Sequence, residues 1–179
     1  MRETYKITIA GCERDLDIFP ISEDTSIAAL IMFGDVELTV KTAEELLKKC
    51  PECDIIVSAE SKGIPICYEM ARQSGKPYAI ARKSVKLYMD DPLCVEVKSI
   101  TTAQVQKLYL ATRDVEAIKG KKVLIVDDVI STGESLRALE KLIAQAGGEI
   151  VATAAVLAEG DAQNRDDIIF LEPLPLLKK

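Results

Sequence analysis

Val123-Leu-Ile-Val-Asp-Asp-Val-Ile-Ser-Thr-Gly-Glu-Ser135 is the stretch on which the reading of this chain turns. Four consecutive aliphatics, Val123 to Val126, suit a parallel strand covered on both faces, and Lys121 and Lys122 mark its exposed start. Ligands of an open parallel sheet sit beyond the carboxyl ends of its strands, which is where Asp127 and Asp128 are expected. Ser131, Thr132, Gly133, Glu134 and Ser135 then place closely spaced backbone N–H groups and three hydroxyls at the start of a helix, a ready cradle for a phosphate. That helix has one apolar stripe, Leu136, Leu139, Leu142, Ile143 and Ala146, and Gly147-Gly148 stop it.

A purely structural account of the turn also exists. Ser131-Thr-Gly-Glu134 fits a capping box, in which a Ser hydroxyl and a Glu three residues on satisfy unpaired helix N–H groups. The capping box leaves the acids unexplained. Adjacent carboxylates at the end of a buried strand repel one another and lose hydration, so they call for a cation or a polyol. A Walker phosphate loop is excluded, because no Gly-Lys-Ser/Thr follows at the spacing which that motif requires.

Composition bounds the rest. A chain of 179 residues, 48% hydrophobic and 29% charged, supports one sizeable core, so a single domain over 1–179 is expected. The net charge of −6 argues against a nucleic-acid partner. The N-terminus lacks an apolar signal segment and no run approaches the ~18 apolar residues of a membrane span, so a cytoplasmic protein is expected. Cys12, Cys50, Cys53, Cys67 and Cys94 show no disulfide-scaffold spacing, which suits a reducing compartment. Cys50-Pro-Glu-Cys53 has the spacing of a redox or metal pair but lacks further ligands, and the chain contains no histidine. That absence also removes most nucleophile and general-base arrangements.

In chain order, Tyr5, Ile7 and Ile9 followed by Gly11 and then Leu16 and Ile18 read as a hairpin. Asp24 or Thr25 is expected to cap a short helix through Ile27 and Leu30, which Gly34-Asp35 ends. Thr42 to Lys49 reads as a helix with Glu44–Lys48 and Glu45–Lys49 spacings, ended by Pro51. Asp54 to Ser58 is a buried strand leading into Ala59-Glu-Ser-Lys-Gly63, and a helix with Pro65 in its first turn follows, its buried stripe drawn from Ile64, Cys67, Tyr68 and Ala71.

Lys62 and the N–H groups beside Gly63, at the carboxyl end of a strand, suit a pyrophosphate. A strand at Tyr78 to Ala81 ends in Arg82-Lys-Ser-Val-Lys86-Leu87, whose cations suit a leaving pyrophosphate. From Tyr88 to Ala111 two antiparallel strands with a mobile connection are expected, the natural place for a lid. Ile150 to Leu157 and Ile168 to Leu171 are the last two strands, with Pro173 and Pro175 breaking regularity near the tail.

Val123 to Ser135 resembles the phosphoribosyl-pyrophosphate signature of the type I phosphoribosyltransferases. Glu60-Ser-Lys-Gly63 resembles the pyrophosphate loop of purine members, where an unusual peptide geometry often frees a backbone N–H, and Arg82-Lys83 with Lys86-Leu87 resembles a segment of adenine members. The resemblance spans most of the chain from Asp54 onward and implies an α/β fold. Its central, mainly parallel sheet would be flanked by helices, with a small base-selecting hood at 1–40 and a flexible lid hairpin at 88–111. In the lid, adenine-specific members carry a Tyr and a Glu-Tyr pair after the Ser, whereas this chain has Ile100 and Ala103-Gln104.

The function so implied is transfer of the ribosyl 5-phosphate of phosphoribosyl pyrophosphate to a purine, adenine favoured, in purine salvage. By the resemblance Asp127 and Asp128 hold the ribose hydroxyls, and Ser131, Thr132, Gly133, Glu134 and Ser135 hold the 5-phosphate. Glu60, Ser61, Lys62, Gly63, Arg82, Lys83 and Lys86 line base and pyrophosphate, with Lys62, Arg82 and the two aspartates as the catalytic set. Mg²⁺ is implied as a cofactor held through substrate oxygens and water, with Asp127 and Asp128 as its available protein donors. A homodimer is implied by the resemblance alone. Xanthine, guanine or hypoxanthine in place of adenine, or a noncatalytic sensor of phosphoribosyl pyrophosphate, are the alternatives.

Overall fold

Residues 3–98 and 105–178 are described by the computed structural model of the chain. Alternating apolar residues fold Thr4–Ile9 (β1) and Cys12–Pro20 (β2) into the expected antiparallel hairpin, with Tyr5 opposite Leu16 and Ile9 opposite Cys12. The turn places both Ala10 and Gly11 at positive φ, 49° and 76°.

The helix expected after Asp24 does not form. Thr25–Ala28 is instead a strand (β3), antiparallel to β2 through Ile18–Ala28 and Phe19–Ile27. The side chains that would have capped a helix are spent on a tight turn: Ser22 Oγ donates to Asp24 Oδ1 at 2.7 Å and accepts from the Thr25 N–H at 3.1 Å. β-Branched Thr25 and Ile27 then favour the extended form.

The first helix, Val36–Lys49 (α1), starts well before Thr42 because Asp35 caps it, accepting from the Leu38 N–H at 3.1 Å. Arg14 of β2 grips the same carboxylate at 2.6 Å and Glu37 at 3.0 Å, pinning the hairpin to the helix start. Lys48 pairs with both Glu44 and Glu45, and Lys49 reaches the Phe170 carbonyl at 3.4 Å in place of the Glu45 pairing its spacing suggested.

Ile55–Ala59 (β4) leads into Ile64–Ser74 (α2) and Tyr78–Ala81 (β5). The buried stripe of α2 is turned from the expected one: Ile66, Cys67, Met70 and Ala71 are buried, whereas Ile64 is half-buried and Tyr68 exposed. Tyr68 meets Tyr78 edge-on at 5.9 Å. Glu69 takes a buried place in the helix because Arg72 and Gln73, one turn on, hold its carboxylate at 2.7–2.8 Å.

Leu93–Lys98 (β6) and Val105–Leu110 (β7) form the expected antiparallel hairpin, and its departures at Ile100, Ala103 and Gln104 lie outside the described residues. A short helix, Thr112–Ile118 (α3), follows where no element was anticipated. Lys122–Ile130 (β8), Glu134–Gln145 (α4), Glu149–Glu159 (β9) and Ile169–Leu174 (β10) complete the βαβ run, with a single 3₁₀ turn at Gly160–Asn164. Pro173 lies inside β10 rather than ending it, which is tolerated because β10 is an edge strand. Leu177–Lys178 (β11) returns to pair with β3.

The result is a five-stranded parallel sheet, β10-β9-β8-β4-β5, and a four-stranded sheet, β1-β2-β3-β11, that joins both ends of the chain. The pleat sends alternate residues to opposite faces. Ile56, Leu124 and Val126 face α1, α2 and the four-stranded sheet, while Ile55, Val57, Val123 and Ile125 face α4, α3 and the β6–β7 hairpin.

Candidate active site

The two helices that follow adjacent strands β4 and β8 pack on opposite faces of the sheet. Such a switch opens a crevice at the carboxyl ends of those strands. Pairing of β4 with β8 stops at Val57–Ile125, whereas β8 continues along β9 to Ile130–Ala158. Asp127 and Asp128 therefore lie within β8, not beyond it as the sequence suggested, but past the point where β4 covers it.

A cavity of about 510 Å³ fills this crevice. Ala59, Glu60, Ser61 and Lys62 of the turn after β4 form one wall; Asp127, Asp128 and Val129 of β8 form the floor. Lys83 and Ser135 reach its edges, and Val105, Gln106, Lys107 and Leu108 of β7 close the remaining side. Asp128 is 4% exposed, and its Oδ2 lies 3.1 Å from Lys62 Nζ but without an aligned donor. Asp127 is half-buried and its Oδ1 accepts from the Asp128 N–H at 2.9 Å. A buried carboxylate oxygen lacking an aligned donor is a place where a ligand hydroxyl or a hydrated cation fits. Among the described residues no three acids, cysteines or histidines converge, so this pair is the protein's share of any hard-cation site here.

Gly63 is what lets the two walls meet. A Cβ there would lie 2.3 Å from Ser58 Oγ and 2.6 Å from Asp127 Oδ1. The Glu60–Ser61 peptide just before it is cis. Glu60 ties the start of the run after β5 to the wall: Arg82 Nε is 2.8 Å from its Oε2, and the Lys83 backbone N–H donates to its Oε1. Backbone bonds of 2.8 Å in both directions join Arg82 to Tyr109, tying this run to β7.

Not every candidate converges on the cavity. Arg82 lines a neighbouring hollow with Tyr78 and Tyr88, and Lys86 turns its ammonium to Ser84 Oγ at 2.7 Å. Ser131, Thr132 and Gly133 form the turn leading out of β8 and Glu134 and Ser135 open α4; of these five residues Ser135 alone lines the cavity. The cap of α4 is Gly133, at φ 76°, with no side-chain cap bond, so the Ser131–Glu134 capping box is not formed. Gln106 and Lys107 went unrecognised in the sequence, where they are two adjacent polar residues near the start of a strand. Gln106 Oε1 accepts from the Ser135 hydroxyl at 3.3 Å, joining β7 to the start of α4.

Burial, followed by the charge of Asp128, pushes the Asp127 carboxyl up to about 8; Lys62 opposes this only in part. The folded chain therefore keeps a proton that the unfolded chain gives up near the ordinary carboxylate value. Between that value and about pH 8 the folded state binds more protons, so stability falls as pH rises through the window. Asp127→Asn removes this linkage. Its melting temperature is expected to change less between about pH 5 and about pH 8 than that of the parent, and parallel curves would show that Asp127 does not titrate there.

Residues 34–173 match the phosphoribosyl transferase domain. The chain belongs to this family. The phosphoribosyl transferase match thus contains β4 to β9 and both turns that wall the cavity. Among relatives, a hypoxanthine/guanine phosphoribosyltransferase of Methanococcus voltae is 38% identical over 112 residues, 63% of this chain and 56% of that protein. An adenine phosphoribosyltransferase of Butyrivibrio fibrisolvens is 34% identical over 134 residues, 67% of this chain and 69% of that one. The aligned part of the chain thus spans little more than half to about two-thirds of these relatives' length. A crystal structure of adenine phosphoribosyltransferase from Thermoanaerobacter pseudethanolicus has a TM-score of 0.68 at 22% identity, over 96% of this chain and 95% of that one, a likeness of fold.

Proposed function

We propose that the chain is a purine phosphoribosyltransferase of the pentosyl-transferring class, with adenine as the favoured base. The observation that carries this reading is the Asp127–Asp128 pair, set in a cavity across from Lys62 with one buried carboxylate oxygen awaiting a donor. Vicinal ribose hydroxyls supply that donor. The turn from Ser131 to Ser135 takes the 5-phosphate on its backbone N–H groups and hydroxyls. Glu60 to Gly63 takes the pyrophosphate, with Lys62 and Lys83 at the cavity and Arg82 and Lys86 in reserve around it.

A purine ring nitrogen attacks the anomeric carbon as the bond to pyrophosphate breaks, the electron pair leaving with the pyrophosphate and the ring N–H proton passing to solvent. Charge develops on the leaving group and on an oxocarbenium-like ribose, so the protein's work is positioning and electrostatics. Mg²⁺ would be held by substrate oxygens and water with Asp127 and Asp128 as the protein's donors, and would supply positive charge to the departing pyrophosphate. The domain is taken as one unit over 1–179, with the four-stranded sheet as a hood over the base and β6–β7 as a lid. A cytoplasmic homodimer completes the proposal on the family resemblance.

Relatives named for hypoxanthine/guanine and for adenine match this chain at similar identity, which favours a 6-oxopurine as the second reading. Turnover with phosphoribosyl pyrophosphate and Mg²⁺ against each purine separately is the test. Nucleoside monophosphate from adenine is expected; product only from an oxopurine moves the assignment to that base, and binding without product from any base removes the enzyme.

A further inference from the structure

We propose that Arg165 is a positioning residue for the ribosyl 5-phosphate, its guanidinium braced against Gly133 so that a fixed positive charge stands beside the phosphate turn. The proposal rests on the phosphoribosyl reading above. Arg165 closes the 3₁₀ turn after β9 and is distant in sequence from the turn it meets. A Cβ built on Gly133 would fall 2.8 Å from Arg165 Nη1, so the guanidinium occupies the space a side chain would need. Glycine at this position thus serves two ends: it supplies the left-handed backbone, φ 76°, and it admits the arginine.

The arginine is held rather than loose. Its Nε and Nη2 donate to the two oxygens of Asp167 at 2.8 and 2.6 Å, a fork-to-carboxylate pair that aims Nη1 at the turn. Glu140 of α4 is the other acid acting on it. The turn from Ser131 to Ser135 itself carries no cation, and its one formal charge is that of Glu134. A phosphate placed there meets amides and hydroxyls from the turn, while Arg165 offsets acidic charge around it. Lysine lacks the planar fork needed to hold Asp167 and reach Gly133 together.

The test uses Arg165→Gln and Arg165→Lys in the full chain, with calorimetric titration of ribose 5-phosphate and, separately, of pyrophosphate. Arg165→Gln is expected to weaken ribose 5-phosphate about tenfold, and Arg165→Lys about threefold, leaving pyrophosphate unchanged. Unchanged ribose 5-phosphate affinity in both variants overturns the assignment, as does equal loss of both ligands, which marks a general structural role. If the glutamine variant does not fold, a loss confined to ribose 5-phosphate in the lysine variant supports the proposal and no loss overturns it. A parent protein that binds no ribose 5-phosphate overturns the phosphoribosyl reading itself, and this assignment with it.

Discussion

Asp127→Asn combined with Asp128→Asn is expected to weaken phosphoribosyl pyrophosphate binding by about 100-fold while leaving the fold intact. Asp128 is assigned charge-assisted hydrogen bonds to the ribose, worth about 1.5–3 kcal/mol, and the Asp127 carboxyl neutral ones, worth about 0.5–1.5 kcal/mol, or roughly one and a half to three decades for the pair. The fold should survive because the substitution removes a cost. Burial and mutual repulsion drive Asp127 toward its protonated form, and an amide of equal shape carries neither penalty. The amide that replaces the Asp127 carboxyl keeps an oxygen for the backbone N–H of the next residue, the bond that Asp127 Oδ1 now accepts at 2.9 Å. Lys62 loses its partner but is 45% exposed, so water can replace it. Calorimetry gives the affinity and a thermal melt gives the stability. Undiminished affinity in a folded double variant would leave the two acids without a part in holding the ribose.

The features that the sequence expressed well were local ones. Val123 to Val126 announce a strand buried on both faces because parallel sheets flanked by helices need that run, and the α4 stripe repeats at the helical period. The acids and Lys62 stand within or just after such strands, so a chain-order reading puts them near the site. β3 was hidden because Asp24 and Thr25 suit a helix cap and a turn equally; pairing with β2 and with distant β11 decides between them. In α2, counting Tyr68 as apolar rotated the expected stripe, whereas local pairing to Arg72 and Gln73 lets Glu69 go under cover. Gln106, Lys107 and Arg165 share one cause of concealment. Gln106 and Lys107 are brought to the cavity, and Arg165 to Gly133, by chain closure from another element, and nothing in their immediate neighbours records the destination.

Gly63→Ala is expected to lower kcat/KM about 100-fold with a much smaller loss of stability. Backbone strain is not the reason, since Gly63 has φ −73° and ψ −10°, which alanine adopts freely. Space is the reason: the added carbon would stand 2.3 Å from Ser58 Oγ, 2.6 Å from Asp127 Oδ1 and 3.4 Å from Asp127 Cα. Ser58 is fully buried in β4 and Asp127 belongs to the neighbouring strand, so neither is the free end of a flexible chain. Overpacking of this kind costs about 1–3 kcal/mol. At about 2–4 °C per kcal/mol for a chain of this size, the melting temperature falls by several degrees. Activity suffers more because the Asp127 carboxyl is pushed from the position proposed to hold the ribose, and a shift of about 1 Å at a reacting centre is worth roughly 100-fold. Ser58→Ala added to Gly63→Ala separates the two effects. It removes the closest clash and should restore most of the stability, yet the contact with Asp127 persists and the rate stays low. Recovery of rate together with stability would mean that Ser58, not Asp127, transmits the damage, and parent-like turnover in Gly63→Ala alone would detach the placement of Asp127 from catalysis.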